Sequence, residues 1–132
     1  MATNILSLPL VSLTVTTGTN EDWIDSIQFT QDDGITPVDL TGIIFSMEVR
    51  RLAGDNDVLI FGSTADGKLL SGGVGESFLL INVPRDIMEQ VEARSYVADI
   101  VAEADGISRV IIQLVVEVFQ GITRRPTPVI TS

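Results

Sequence analysis

The sequence predicts an all-β chain, an antiparallel β-sandwich of seven or eight short strands. Three observations carry that prediction. Apolar residues recur at every second position over several stretches, which is the period of a half-buried strand. Turn-forming residues punctuate those stretches at Gly18, Asp33-Gly34, Gly54, Asp66-Gly67, Gly72-Gly73, Asp105-Gly106 and Gly121. Helical periodicity is confined to one short segment. Short strands with such punctuation build two sheets packed on one core.

Each element follows from its own residues. Residues 10–17 are rich in Val, Leu and Thr, and residues 23–30 put Trp23, Ile27 and Phe29 on one face. In 43–51 the odd positions Ile43, Phe45, Met47 and Val49 face a core, against Ser46, Glu48 and Arg50. Residues 58–61, 77–83 and 96–103 complete the middle of the chain. In 110–118 every even position is apolar, while the odd ones mix Ile111 and Val115 with Gln113 and Glu117. One face of that strand is expected to be buried and the other partly covered. The whole closing strand, 107–119, would extend about 43 Å at 3.3 Å per residue. That exceeds a typical strand, so it is expected either to bend and serve both sheets or to pair outside its own sandwich. The exception to period two is PRDIMEQVEARS at 84–95. A proline suited to a first helical position, an early acidic residue and Ile87, Met88 and Val91 on one face predict a short helix or helical turn near 84–93. Its place between strands suits a crossing from one sheet to the other.

The totals fit one domain and narrow its chemistry. The chain has 132 residues, no cysteine and no histidine. Disulfides, thiolate metal sites and cysteine nucleophiles are thereby excluded. The commonest general base, and the usual partner of a nucleophilic serine, is missing as well. Eighteen acidic and eight basic side chains give a net charge of −10. Such a body repels phosphate backbones, and no basic stripe with interleaved aromatics occurs, so nucleic-acid binding is not expected. No stretch approaches 18 apolar residues, and the apolar start MATNILSLPLVSLTV lacks a basic n-region. Neither a membrane span nor a cleaved leader is expected.

Motifs that resemble sites read better as connections. DNDVL at 55–59 has alternating oxygen ligands but no glycine or glutamate at the later positions a calcium loop requires. A polar hairpin turn is expected there. GGVG at 72–75 lacks a following Lys-Ser/Thr and leads into no helix, so it reads as a loop or bulge between strands. In DDGITPVDLTG, at 32–42, Asp33-Gly34 supplies a tight reversal and Pro37 limits ladder pairing. Asp39 and Thr41 close a turn around Leu40, and Gly42 releases the chain into the next strand. Every residue of that stretch has a structural task. Trp23 and Tyr96, the single Trp and Tyr, are expected in the core or at its edge. No catalytic, metal or cofactor residue is assigned.

The same stretch carries a resemblance. A strand ending in Asp33-Gly34, then Pro37-Val38-Asp39-Leu40-Thr41-Gly42, then a strand ending at Arg50, resembles the immunoglobulin-like N-terminal domain of tailed-phage baseplate upper proteins and related phage virion proteins. The likeness continues through Tyr96 and Asp99 to the Asp105-Gly106 turn and the closing strand, over roughly residues 20–122. It implies an immunoglobulin-like sandwich without catalytic residues, located in the virion and bound to other virion proteins in many copies or as a homo-oligomer. Relatives continue into linkers and receptor-binding modules, whereas a stand-alone module is expected here.

The expected organisation is an N-terminal arm and first strand at 1–18, a sandwich domain at 19–122 and an extended C-terminal arm at 123–132. The arm reads TRRPTPVITS, with Arg124 and Arg125 beside Pro126 and Pro128 and the apolar pair Val129 and Ile130. Prolines favour an extended segment, and ten residues span about 33 Å. These six residues are the candidate partner contact, with the arginines meeting an acidic neighbour. The leading expectation is a non-enzymatic structural protein of a tailed-phage tail, baseplate or neck, without cofactor or small-molecule substrate. A capsid decoration protein is the alternative. A bacterial immunoglobulin-like surface-binding module is the second, and it requires exposed aromatics. An enzyme would need paired carboxylates in a cleft.

Overall fold

A computed structural model describes residues 10–30, 38, 40, 42–72 and 77–122. Eight strands and one helical turn follow each other as β1 (Val11–Gly18), β2 (Trp23–Gln28), β3 (Ile44–Arg50), β4 (Ile60–Ser63), β5 (Leu69–Ser71), β6 (Phe78–Val83), α1 (Arg85–Met88), β7 (Ser95–Ala104) and β8 (Ile107–Phe119). They form a five-stranded sheet in the order β1-β8-β7-β3-β4 and a three-stranded sheet in the order β2-β6-β5. Alternation sends one face of each sheet inward. Phe45, Met47 and Val49 of β3, Leu79, Ile81 and Val83 of β6, and Ile112, Leu114 and Val116 of β8 are all buried. Trp23 and Tyr96 lie among them, each 1% exposed. The Trp23 indole N–H donates to the Asp25 carboxylate at 2.7 Å, so its one polar atom is satisfied beside the apolar ring.

The arrangement is an immunoglobulin-like sandwich. Two features support that assignment beyond strand count. The β6–β7 connection crosses between sheets through α1, and the Tyr96 hydroxyl near the start of β7 donates to the Glu92 carbonyl just upstream. That is the tyrosine corner found at this place in such domains. Without cysteine, no inter-sheet disulfide links the sheets, and they pack through an apolar core.

Two turns hold the site-bearing sheet in register. Asp105 (φ 54°) and Gly106 (φ 76°) form a two-residue link between Ala104 and Ile107, which are paired. Both positive φ values belong to the type I′ hairpin that matches strand twist. Before β3, the Ile43 N–H donates to the Leu40 carbonyl at 3.2 Å. Gly42, third in that turn, has φ 81°, which a side chain would resist. Leu40 is fully buried and Val38 nearly so, while Asp33, Gly34, Pro37, Asp39 and Thr41 lie outside the described residues.

Several expectations change. The sandwich is not wholly antiparallel, because β1 pairs with β8 in parallel from Val11↔Ile112 to Gly18↔Phe119. Parallel neighbours need a long connection between them, and here nearly the entire domain supplies it. The long β8 neither crosses to the second sheet nor bends into it. It stays beside β7 throughout, and a register shift after Ile100 leaves Ile111 unpaired between Ile112 and Val110. This β-bulge lets both Ile111 and Ile112 turn inward. β4 begins two residues later than expected, since the polar 51–57 turn takes more chain. β5 was not expected, being three residues long and too short to show a period. The helix is four residues, with Pro84 preceding it in extended geometry (φ −62°, ψ 149°) rather than opening it. Met88 is nevertheless buried, with Ile87 and Val91 packed against the core.

Candidate functional site

The outward faces of the two sheets differ in charge, although the five-stranded sheet also exposes Ile44, Phe61, Val115 and Phe119. On the five-stranded sheet, β3, β7 and β8 present Glu48, Arg50, Asp99, Glu103 and Glu117 outward. A trough of about 810 Å³ crosses this face and is overhung by the turn at 53–56. Its floor consists of two registered rows. In one, Glu48 lies opposite Asp99, which lies opposite Gln113, which lies opposite Ser12. In the other, Arg50, Val97, Val115 and Thr14 succeed each other across the same strands.

Charge in the trough is unevenly satisfied. The Arg50 guanidinium pairs with the Glu48 carboxylate at 2.5 Å and also donates to the Asp55 carbonyl. Arg50 thereby ties the overhanging turn to the sheet. Across the sheet, the Ser12 hydroxyl approaches the Gln113 side-chain oxygen at 3.5 Å. The Asp99 carboxylate has no hydrogen bond or ion pair among the described residues, and it faces the like charge of Glu48. Directly opposed like charges destabilise a sheet. Glu48 and Asp99 are carboxylates opposed in register, and Glu48 is already paired with Arg50. Asp99 is exposed and Glu48 half-buried on an open face, without the enclosing apolar walls that divide a carboxylate pair into acid and base.

The three-stranded sheet is different. Its outward side chains are Ile24, Ser26 and Gln28 of β2, Phe78, Leu80 and Asn82 of β6, and Leu70 of β5. None carries a charge, in a chain whose residues are 20% charged. Ile24 is 58% exposed, Leu70 45% and Phe78 42%. Leu80 stands between Ser26 and Leu70 in register, so the apolar groups are contiguous. Large uncharged apolar patches on a protein surface mark contact sites. The residues missed from sequence are these, because the outward phase of short strands reads as ordinary polar-apolar alternation.

The candidate contact residues Arg124, Arg125, Pro126, Pro128, Val129 and Ile130 lie outside the described residues, as does most of the N-terminal arm. What is described is the point where the C-terminal arm departs. Thr19 accepts the Gly121 N–H on its hydroxyl at 3.0 Å and donates its own N–H to the Phe119 carbonyl at 3.1 Å. Gly121 runs so close to Asn20 that an added Cβ would fall 2.1 Å from it. The chain leaving β8 is therefore clamped to the β1–β2 turn.

Among the described residues no group of carboxylates is arranged to hold a metal ion. No family model matches the chain, and no curated protein matches it. Solved structures similar to it include CopC from Methylosinus trichosporium OB3b, at 11% identity and a TM-score of 0.40, covering 82% of this chain and 89% of that one. Another is the ZIG-8–RIG-5 IG1–IG1 heterodimer, at 12% identity and a TM-score of 0.40, covering 89% of this chain and 90% of that one.

Proposed function

We propose that this protein is a non-enzymatic structural component of a tailed-phage virion, a small sandwich that docks on other virion proteins in many copies. The observation that carries the reading is the uncharged outer face of the three-stranded sheet. A chain of net charge −10 stays apart from similar neighbours except where a face lacks charge. Ile24, Leu70, Phe78 and Leu80 supply such a face, suited to an equally apolar, uncharged protein surface. The resemblance of the 33–50 segment and the closing strand to baseplate domains supports the tail or baseplate as the location. A decoration role on the capsid uses the same face. Trp23 and Tyr96 are buried, so the surface-binding alternative would have to use the exposed rings of Phe61, Phe78 and Phe119.

Purified particles from a culture expressing the protein provide the test. The protein should co-purify with them in many copies, and Leu70→Glu should lower its occupancy while leaving its circular dichroism unchanged. Recovery of the wild type only from the particle-free lysate would sink the proposal.

A further inference from the structure

We infer that the trough on the five-stranded sheet is the acceptor for the Arg124–Ile130 segment of a second copy. The inference deepens the multi-copy reading and rests on it only for its biological setting. Charge is the first argument. Glu48, Asp55 and Asp99 line the trough against one cation, Arg50, leaving a net charge of −2. Arg124 and Arg125 are adjacent cations, two of the eight in the chain. Arg50 is already engaged by Glu48 and the Asp55 carbonyl. Asp99 has no partner among the described residues, and a guanidinium placed there would relieve its repulsion with Glu48.

Shape and backbone chemistry supply the second argument. Pro126 and Pro128 lack the N–H groups that a strand needs to extend a sheet edge. A segment carrying both is suited to lie on a face, in the extended form that such sequences favour. Val97 and Val115, in the row beside the carboxylates, offer apolar floor to Val129 and Ile130.

The clamp makes another copy the less constrained donor. Asp99 stands opposite Gln113, six residues back from Phe119, or about 20 Å along the sheet. Arg124 is three residues beyond the fixed Gly121, a reach of about 10 Å of extended backbone. Docking on its own trough would require the segment to reverse at once and run back taut. A segment from a neighbour meets no such constraint.

Sedimentation equilibrium on the full chain tests this with two variants. Arg124→Glu/Arg125→Glu breaks the donor, and Asp99→Lys breaks the acceptor, with Gln113→Arg as a second acceptor variant should Asp99→Lys fold poorly. The wild type should associate as concentration rises and dissociate as salt is added. Each variant alone should need at least about tenfold higher concentration to associate. An equimolar mixture of donor-broken and acceptor-broken chains should form a species of two chains and nothing larger, because one intact junction remains. A wild type that stays at 14.2 kDa in low salt would overturn the inference. So would variants that associate like the wild type, or a mixture that stays monomeric. Leu70→Glu should leave this association unchanged, which separates its failure from failure of the apolar-face reading.

Discussion

Asp66 shows how single side chains stabilise this small sandwich. Its carboxylate accepts the backbone N–H groups of Ser63 (3.0 Å) and Lys68 (2.9 Å) and pairs with the Lys68 ammonium at 3.2 Å. Slight burial pushes its pKa up, but the backbone N–H groups of Lys68 and Ser63 and the Lys68 charge outweigh it. The carboxyl is held below its usual 3.8. The sign follows from linkage. Since the unfolded chain binds the proton more readily, the contribution is fully present above about pH 3.9 and is lost as pH falls through the lower folded value. Urea unfolding of wild type and Asp66→Asn should therefore show the wild type ahead at about pH 5, with the gap closing toward pH 2. A gap independent of pH would mean that the charge contributes nothing. Such detail was only partly legible. The Asp66-Gly67 turn was visible, and Tyr96 was expected in the core, but its bond to the Glu92 carbonyl depends on the path of 89–94, which no local pattern encodes.

At the scale of elements, Asp99 in the middle of β7 is the informative conflict. Its strand neighbours Val97 and Val101 are β-favouring, yet it is set opposite Glu48 with no paired cation among the described residues. Asp99→Asn should raise stability by about 0.2–1 kcal/mol, read as a higher denaturant midpoint, while weakening self-association. A destabilised variant would mean that Asp99 is held by contacts the trough does not show. Long strands with strict alternation were readable from residues alone. The buried face of β3 and the bounds of β8 fell where the residues alone placed them. The parallel β1–β8 pairing was not readable, because it joins residues 101 apart and follows from closure of the sandwich. Nor was the bulge at Ile111, which appears in sequence only as two adjacent isoleucines. β5, with three residues, is defined by its partner β6 rather than by its own pattern.

For the whole molecule, the asymmetry between two sheet faces governs function. One face is troughed and carries charge among exposed apolar groups such as Phe61 and Phe119, the other is uncharged, and a thin sandwich places them on opposite sides. A module so built can stack or bridge, touching different neighbours through different physics. Salt should weaken contacts at the trough and spare those at the apolar face. This asymmetry was hidden in the sequence, because the charges are dispersed along the chain and segregate only when strands alternate sheets.

Because the chain has no cysteine, single thiols can report directly on which face is covered. The decisive measurement is the labelling rate of Leu70→Cys, with Ser108→Cys as a control, in free protein and on purified particles. If the apolar face is the docking surface, the thiol at position 70 reacts readily in free protein and slowly on the particle, while the control changes little. Equal reactivity at position 70 in both states would contradict the account.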